Sequence, residues 1–301
     1  MNNSRPQQPV AGILWMLVTG ALFVGVTALV KTLGPVIPAT QAAFLRYAIG
    51  MIFVLPMMRP ILRAGLTRRQ WGLFTLRGLA HSVGVGLWFY AMARIPIADV
   101  TALNYLSPIY VTLGAALFLG EKLALRRVLA VITALVGALI ILRPGFREVG
   151  DGHLAMLLAA VVFGASYLLA KRLTDQTNAA VVVGMLSIFV TIGLAPVAIA
   201  NWVTPDLRAL GLLTGVALLA TAGHYTMTLA FAAAPVTVTQ PVTFLQLLWA
   251  SLLGYFVFDE GLDLWVMVGG MVILSSVTFI TWREAVLKRR TRTPVAVATK
   301  V

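Results

Sequence analysis

The chain has 301 residues, of which 60% are hydrophobic and 11% are charged, and its formal net charge is +13. A water-soluble domain of this size needs far more charge to cover its surface, so the composition excludes one. Because there is no cysteine, disulfide bonds, thiolate metal sites and cysteine nucleophiles are excluded as well. The basic residues lie between apolar blocks and accompany no nucleic-acid-binding motif, so we expect no nucleic-acid partner.

Apolar blocks of about twenty residues recur along the chain, and a block of this length can cross a bilayer as a helix. They predict an all-α membrane protein with ten transmembrane helices. The predicted spans are residues 11–31, 41–58, 71–92, 97–119, 125–142, 153–170, 179–201, 208–231, 236–258 and 262–282. The connections contain Pro and Gly and are too short to hold a soluble domain. The basic tail after Trp282 is expected to be disordered.

Lysines and arginines are distributed unevenly between the two ends of these spans. With the N-terminus inside, sixteen of the 23 lie on the inner side and five on the outer side, while Arg46 and Arg77 fall inside spans. The positive-inside rule therefore predicts that both termini are cytoplasmic. On the outer side, Lys31 is expected to snorkel to the membrane surface. Glu260 is expected to contact a neighbouring chain terminus or a basic loop.

The sequence contains an internal duplication, carried most clearly by four pairs of Lys, Pro and Glu residues that are 139 or 140 positions apart. These pairs are Lys31 and Lys171, Pro56 and Pro196, Pro96 and Pro235, and Glu121 and Glu260. Each half contains five spans, an odd number, so the two halves must be inverted relative to each other in the membrane. Inverted repeats are typical of carriers that expose a midplane site to each side in turn. The predicted organisation is a cytoplasmic N-terminus (1–10), a first repeat (11–142), a second repeat (153–282) and a basic cytoplasmic tail (283–301).

Two stretches of the chain carry a resemblance to a known family. Residues 93–110 read ARIPIADVTALNYLSPIY and are followed by FLGEK, and residues 232–241 read AAAPVTVTQP and are followed by VFDE. Occurring twice with this spacing, the pattern resembles the EamA repeat of the drug/metabolite transporter superfamily. The resemblance implies ten helices in two inverted halves around a cavity lined mainly by helices one, three, four, six, eight and nine. Residues 76–91 resemble most closely the members that import S-adenosylmethionine or riboflavin.

The third span places Arg77, His81 and Trp88 on one helical face, at spacings of four and seven. His81 falls near the middle of the bilayer, where an ionisable side chain is costly unless it faces water, a ligand or a partner. We therefore predict that it binds substrate or carries a proton, and the alternative is a buried histidine bonded to a neighbouring helix. Arg77 either joins this site or snorkels to the inner surface.

Arg46 lies within the second span, and its repeat equivalent is Leu186, so the duplication does not explain it. No Asp or Glu lies in the middle of a span to pair with it. Arg46 either binds an anionic group of the substrate or caps backbone carbonyls of a neighbouring helix. The helices that line the cavity in the resembled family favour the structural role.

Polar stripes also mark the fourth, eighth and ninth spans. In the fourth span, Pro108 removes a backbone donor, frees a carbonyl four residues earlier and is expected to kink the helix. The further candidates for substrate binding are Asn104, Tyr105, His224, Tyr225, Thr243 and Gln246, with Trp15 and Tyr167 as rings that could stack on a flat solute. The alternatives are hydrogen bonds between helices for the polar residues and interfacial anchoring for the aromatic ones.

These features predict a secondary transporter that carries a small polar organic metabolite, such as an amino acid, a vitamin or a nucleoside-like solute, across the bacterial inner membrane by alternating access. Proton coupling would require His81 or His224, since no carboxylate is predicted inside the membrane. We predict no enzymatic activity, no cofactor and no metal site, because the chain has no Walker motif and its histidines are scattered. The alternative is a lipid- or phosphate-handling membrane protein in which Arg46 and Arg77 grip a phosphate. The expected partners are the solute and the lipid bilayer, and the expected state is a monomer or a homodimer.

Overall fold

A computed structural model of the chain describes residues 8–119, 125–174, 176–177, 179–234, 239 and 242–292. The described residues form α1 (Pro9–Leu33), α2 (Ala39–Gly50), α3 (Met58–Arg63), α4 (Arg68–Met92), α5 (Ile97–Asn104), α6 (Ser107–Leu119), α7 (Leu125–Leu142), α8 (Asp151–Thr174), α9 (Ala179–Ala200), α10 (Leu207–Ala233), α11 (Thr243–Phe258) and α12 (Leu264–Arg292). Two 3-10 segments flank α2, at Gly34–Val36 and Met51–Met57.

The helices coincide with the predicted spans, and the all-α membrane fold is confirmed. Within the described residues, seven helical stretches are long and apolar enough to cross a membrane. The other three predicted spans do not combine sufficient length with sufficient apolar character. The third is the long but more polar α4, the fourth is divided into α5 and α6, and the ninth is the shorter α11 of 16 residues. Most of the predicted start of the ninth span, at 236–238 and 240–241, lies outside the described residues.

Proline accounts for the interruption of the fourth span. There, α5 ends at Asn104 and α6 begins at Ser107, because Pro108 cannot donate the backbone hydrogen bond that would continue the helix. The predicted kink is therefore present as a break. In the second span, α2 gives way to the 3-10 segment Met51–Met57, which contains Pro56, whereas the repeat partner Pro196 lies within the continuous α9.

The C-terminal end of the chain is more regular than expected. The last helix continues to Arg292, ten residues beyond the predicted end at Trp282. The expectation of a disordered tail is therefore wrong for residues 283–292. Glu121, the repeat partner of Glu260, lies outside the described residues.

The contacts between helices are symmetric with respect to the two halves. The α1–α10 contact matches the α8–α4 contact, and the α4–α9 contact matches the α10–α2 contact. The α6–α8 contact matches the α11–α1 contact, and the pairs α2–α9 and α7–α12 each join equivalent helices of the two halves. Exchanging the halves thus converts these contacts into one another, as an inverted repeat requires. The halves are therefore interlocked and do not sit side by side as separate domains.

Charged side chains meet at the end of the bundle where α1 finishes, which we call the Lys31 end. Lys31 pairs with Glu260 and donates a hydrogen bond to the backbone carbonyl of Ile95 at 3.0 Å. The Glu260 carboxylate also accepts a hydrogen bond, at 3.0 Å, from the backbone N–H of Ile97, the first residue of α5. Glu260 thus contacts the N-terminus of a neighbouring helix, whereas the expected contact was with a neighbouring chain terminus or a basic loop. Snorkelling of Lys31 is wrong, because its ammonium group is engaged by a carboxylate from the other half.

A second charged cluster lies at the same end. Asp99, which is 1% exposed, pairs with Arg147, and its carboxylate lies 2.9 Å from Nε2 of His153. Arg147 also approaches Asp263 at 3.4 Å, and Asp263 pairs with Arg143. A cavity of about 250 Å³ lies among these side chains. The two halves are therefore joined by ion pairs at the Lys31 end.

We predict that replacing Glu260 with Gln destabilises the fold. The side chains of Lys31 and Glu260 are only 19% and 12% exposed, so the amide would leave an ammonium group without its counter-charge in a poorly hydrated place. We expect the free energy of unfolding to fall by about 2 kcal/mol, measured by denaturant titration in detergent micelles. Glu148→Gln, at an exposed position, is the matched control and should cost less than ~0.5 kcal/mol. Equal effects of the two substitutions would mean that the pair contributes no stability.

Candidate functional site

Two phenylalanines related by the duplication each contact a histidine of the other half. The ring of Phe163 in α8 lies 5.0 Å from that of His81 in α4, and the ring of Phe23 in α1 lies 5.2 Å from that of His224 in α10. Phe23 and Phe163 align in the internal repeat. The two histidines therefore lie in matching pairs of helices, each at a contact between the halves.

His81 has a polar neighbour at both ring nitrogens. The residue is 7% exposed, its Nδ1 lies 3.2 Å from the hydroxyl of Ser166 in α8, and its Nε2 lies 3.2 Å from the hydroxyl of Tyr47 in α2. A neutral imidazole can donate from one nitrogen and accept at the other, so both hydroxyls can be satisfied. His81 thus joins three helices, which matches the alternative of a histidine bonded to its neighbours.

Aromatic rings surround this histidine. Tyr167 lies 6.4 Å from His81 and is stacked on Phe163 at 6.1 Å, and Trp88 lies 6.5 Å from Phe163 on the other side. Tyr167 is 44% exposed, so one accessible ring borders a buried polar group. Such a combination is suited to a flat ligand that has polar atoms on its edge. We call this set the His81 cluster, and it consists of Tyr47, His81, Trp88, Phe163, Ser166 and Tyr167.

Arg77 connects α4 to α9. Its Nη1 donates a hydrogen bond to the backbone carbonyl of Val182 at 2.8 Å, and the residue is 6% exposed. The alternative of snorkelling to the membrane surface is wrong, because the guanidinium group is turned towards the neighbouring helix. This bond satisfies one donor of a charged group at a place that water does not reach.

Arg46 is buried to a similar degree but is not bonded in the same way. It is 9% exposed, and within the described part of the chain it forms no hydrogen bond or ion pair. The carbonyl-capping alternative is therefore not found among these residues. Its guanidinium carbon lies 4.1 Å from the centroid of the Tyr47 ring.

The guanidinium of Arg46 borders a cavity of about 110 Å³ between α2, α9 and α10, which we call the Arg46 cavity. His224 and Thr221 of α10 line it from one side, and Leu186 and Ser187 of α9 line it from another. Leu186 is the repeat equivalent of Arg46, so the cavity lies where the second helices of the two halves meet. The structure thus brings the predicted residues Arg46 and His224 together.

Three other predicted residues lie near the break between α5 and α6, and a fourth, Gln246, lies on α11. Tyr105 donates its hydroxyl to the backbone carbonyl of Thr243 at 2.6 Å and so connects the end of α5 to the start of α11. Asn104 accepts a hydrogen bond from the first residue of α6 at 3.4 Å. Gln246 packs against α1 at Gly20. A Cβ atom added to Gly20 would lie only 3.3 Å from the Cβ of Gln246. These contacts match the alternative of hydrogen bonding and packing between helices.

Trp15 and Tyr225 are not brought into these clusters by any described contact. They are 39% and 66% exposed, respectively, and neither makes a ring contact with the His81 cluster among the residues that the structure describes. Both remain accessible side chains whose surroundings are either lipid or the space between the helices.

Sequence reasoning missed Tyr47, Ser166 and Asp99. Tyr47 stands next to Arg46, and Ser166 follows Phe163 by three residues, so adjacency to these two positions is a signal that could have found them. Asp99 lies inside the motif at 93–110, but it is near the start of the fourth predicted span and not in the middle of it. It is a nearly fully buried carboxylate at the Lys31 end, where Arg147 supplies its counter-charge.

Both halves of the chain match the same protein family. The sequence profile described as the EamA-like transporter family matches residues 10–143 and, a second time, residues 151–282. The chain belongs to the EamA-like transporter family. One match in each half agrees with the symmetric packing of the helices.

Named relatives of this EamA-like protein are transporters of small molecules. The "Riboflavin transporter" of Vibrio cholerae is 32% identical over 96% of this chain and 99% of its own length. The "Riboflavin transporter" of Rhizobium johnstonii is 33% identical, with 96% of each chain covered. The "S-adenosylmethionine uptake transporter" of Rickettsia bellii is 26% identical over 91% of this chain and 94% of its own length. The resemblance to this branch is confirmed, and the EamA-like protein is a small-metabolite transporter and not an enzyme.

A solved crystal structure supports the fold of this EamA-like protein. It superposes with a TM-score of 0.61 and covers 94% of this chain and 99% of its own length, at 16% sequence identity. At this identity the likeness concerns the arrangement of the helices alone.

We predict that Tyr47→Phe weakens the His81 cluster without removing a ring from it. The substitution deletes the hydroxyl near Nε2 of His81 and keeps the ring beneath Arg46. The free energy of unfolding should fall by about 1 kcal/mol, the usual contribution of one buried hydrogen bond. Tyr255→Phe is the matched control, because Tyr255 is 48% exposed. If denaturant titration finds the two variants equally stable, the contact between Tyr47 and His81 does not stabilise the fold.

Proposed function

We propose that this protein is a secondary transporter that imports riboflavin, or a closely related flat heteroaromatic metabolite, by alternating access. The observation that carries the proposal is the His81 cluster, in which a buried imidazole and two hydroxyls lie beside accessible and stacked aromatic rings. A flavin ring has two flat faces for stacking and carbonyl and nitrogen atoms on its edge for hydrogen bonding. The cluster offers both kinds of contact in one place.

The relatives support riboflavin as the first candidate and S-adenosylmethionine as the second. The two riboflavin transporters described above are more than 30% identical and match over almost the full chain. The relative named for S-adenosylmethionine is less similar. Both compounds combine a flat heteroaromatic ring with a flexible polar chain, so the same type of pocket can accept either.

The remaining predicted residues are proposed to surround the bound solute. On binding, His81 exchanges one of its two hydroxyl partners for the edge of the ring, Trp88 and Tyr167 contact the ring faces, and Trp15 contacts the solute outside the His81 cluster. The polar chain of the solute contacts the other candidates, which are Asn104, Tyr105, Tyr225, Thr243 and Gln246. Arg77 stabilises the wall of the site, and Arg46 and His224 lie on the far side of the solute. Proton coupling, where it occurs, uses His81 or His224.

Alternating access is supported by the interlocked halves and by the ion pairs at the Lys31 end. Because Lys31 and Glu260 belong to different halves, separating the halves at this end must break their ion pair. We place the Lys31 end outside and both termini in the cytoplasm of a bacterial cell, with the chain in the inner membrane. This orientation is supported by the excess of basic residues at the opposite end.

We predict that His81→Ala lowers riboflavin uptake into proteoliposomes by at least about tenfold, since the ring edge loses its hydrogen-bonding partner. Uptake is followed by the fluorescence of riboflavin. Thr75→Ala is the matched control and should leave uptake unchanged, because Thr75 lies on the same helix as His81 but is exposed and outside the His81 cluster. A folded His81→Ala variant that transports riboflavin at the original rate would remove His81 from the mechanism. If the unchanged protein transports no riboflavin, the proposed substrate is wrong.

The orientation can be tested with single cysteines, because the native chain contains none. Glu148 and Arg63 are exposed at opposite ends of the bundle. In intact cells that make the protein, a membrane-impermeant maleimide should label Glu148→Cys and should label Arg63→Cys only after lysis. The reverse pattern would invert the proposed topology.

A further inference from the structure

We infer that the Arg46 cavity is a subsite for an oxyanion, either a carboxylate or a phosphate, carried by the transported solute. This inference rests on the proposed transport function and adds the charge class of the solute to it. Riboflavin itself is neutral and would leave the charge of Arg46 without a counter-ion, so the inference selects, among the flat heteroaromatic metabolites of the proposed function, those that carry an oxyanion.

The first step concerns the missing counter-charge. Arg46 is more than nine-tenths buried, its Nε lacks a hydrogen-bond partner, and no ion pair is formed with any residue in the described part of the chain. None of the side chains that line the Arg46 cavity is acidic. A charged guanidinium in the apolar part of a membrane protein is costly unless another group compensates it.

The second step concerns depth. Arg46 is seven residues into α2, so at 1.5 Å per residue it lies about 10 Å from the start of the helix at Ala39. This is roughly a third of the way through a hydrocarbon core of ~30 Å. Lipid phosphates stay at the membrane surface, so a solute that enters the bundle is the better source of the anion.

The third step concerns the other groups in the cavity. Tyr47, Ser187, Thr221 and His224 line it together with Arg46, so several polar side chains surround the guanidinium. The planar guanidinium matches the geometry of a carboxylate or phosphate and can donate two parallel hydrogen bonds to it. With a volume of about 110 Å³, the cavity has room for such a group but not for a whole heteroaromatic metabolite.

The fourth step connects the Arg46 cavity with the His81 cluster. The Tyr47 ring lies beneath the guanidinium of Arg46, and its hydroxyl lies 3.2 Å from His81. A solute whose ring is held at the His81 cluster therefore has the Arg46 cavity next to it. One solute can occupy both places when it carries an oxyanion on an arm attached to its ring.

The experiment compares solutes that differ only in the oxyanion. The pairs are flavin mononucleotide with riboflavin, and methionine with methioninol, titrated calorimetrically into the purified full chain in nanodiscs of zwitterionic lipid. We expect the oxyanion-bearing member to bind at least about tenfold more tightly in any pair that binds, which corresponds to ~1.4 kcal/mol. Arg46→Gln should reduce this ratio to about one while leaving the affinity for the neutral member within about threefold.

Arg94→Gln is the matched control. Arg94 also lies over a tyrosine ring, at 3.5 Å from the centroid of Tyr90, but it is exposed. Its removal should leave the preference for the oxyanion unchanged. If Arg46→Gln does not yield a monodisperse protein, Arg46→Lys replaces it, because lysine keeps the charge but loses the fork that donates two hydrogen bonds. Arg46→Lys must then weaken binding of the oxyanion-bearing member more than binding of the neutral one.

Several results would overturn the inference. These are an equal loss of affinity for both members of a pair, the absence of any preference in the unchanged protein, and the absence of binding by both oxyanion-bearing solutes. A fourth is competition by anionic lipid: if phosphatidylglycerol in the nanodiscs weakens binding of flavin mononucleotide only while Arg46 is present, a lipid phosphate occupies the cavity.

The inference and the proposed function can fail separately. Transport of riboflavin without a preference for flavin mononucleotide would overturn the oxyanion subsite and leave the proposed function intact. A preference for methionine over methioninol that depends on Arg46, together with no transport of riboflavin, would support the subsite and overturn the proposed substrate.

Discussion

A charge in the apolar interior of a helix bundle must be compensated by the protein or by a ligand, and the rest of this structure is arranged around that constraint. At the Lys31 end, carboxylates and basic groups from both halves compensate one another, as Lys31 and Glu260 do. Deeper in the bundle no such pairs are found among the described residues. Arg77 bonds to a backbone carbonyl, and Arg46 stacks on Tyr47 beside a cavity.

This distribution divides the bundle into two functional regions. Ion pairs at one end hold the halves together, and they can be broken if this end opens, because water then solvates the separated charges. The middle of the bundle instead contains hydroxyls, imidazoles and aromatic rings, and these groups form the proposed binding site without a permanent charge pair of their own. An alternating-access carrier requires this division, because its ends must open while its binding site persists.

The inverted repeat explains why the site combines unequal groups. Equivalent helices pack in equivalent ways, and Phe23 and Phe163 each contact a histidine of the other half. Arg46, however, faces Leu186, its own repeat equivalent, across the Arg46 cavity. Symmetric packing thus provides the frame on which the two halves can move. Because Arg46 stands opposite the apolar Leu186 in this otherwise symmetric contact, the proposed site is charged on one side only.

The amino-acid sequence by itself determined the helices, the duplication and the family. Helix length in a membrane follows from the thickness of the hydrocarbon core, and the break at Pro108 follows from its missing N–H, so both can be read locally. It also identified Arg46, Arg77 and His81 as polar residues inside spans. Their roles were decided only by the tertiary structure.

The physical reason lies in the nature of their partners. Arg77 bonds to a backbone carbonyl, a group that every residue possesses, so no sequence pattern distinguishes the partner. The neighbours of His81, Tyr47 and Ser166, come from two different helices that approach only after folding. The lack of a partner for Arg46 within the described residues depends in the same way on everything packed around it. Sequence showed that charges lie inside spans, and only the packing showed which of them has a bonding partner among the described residues.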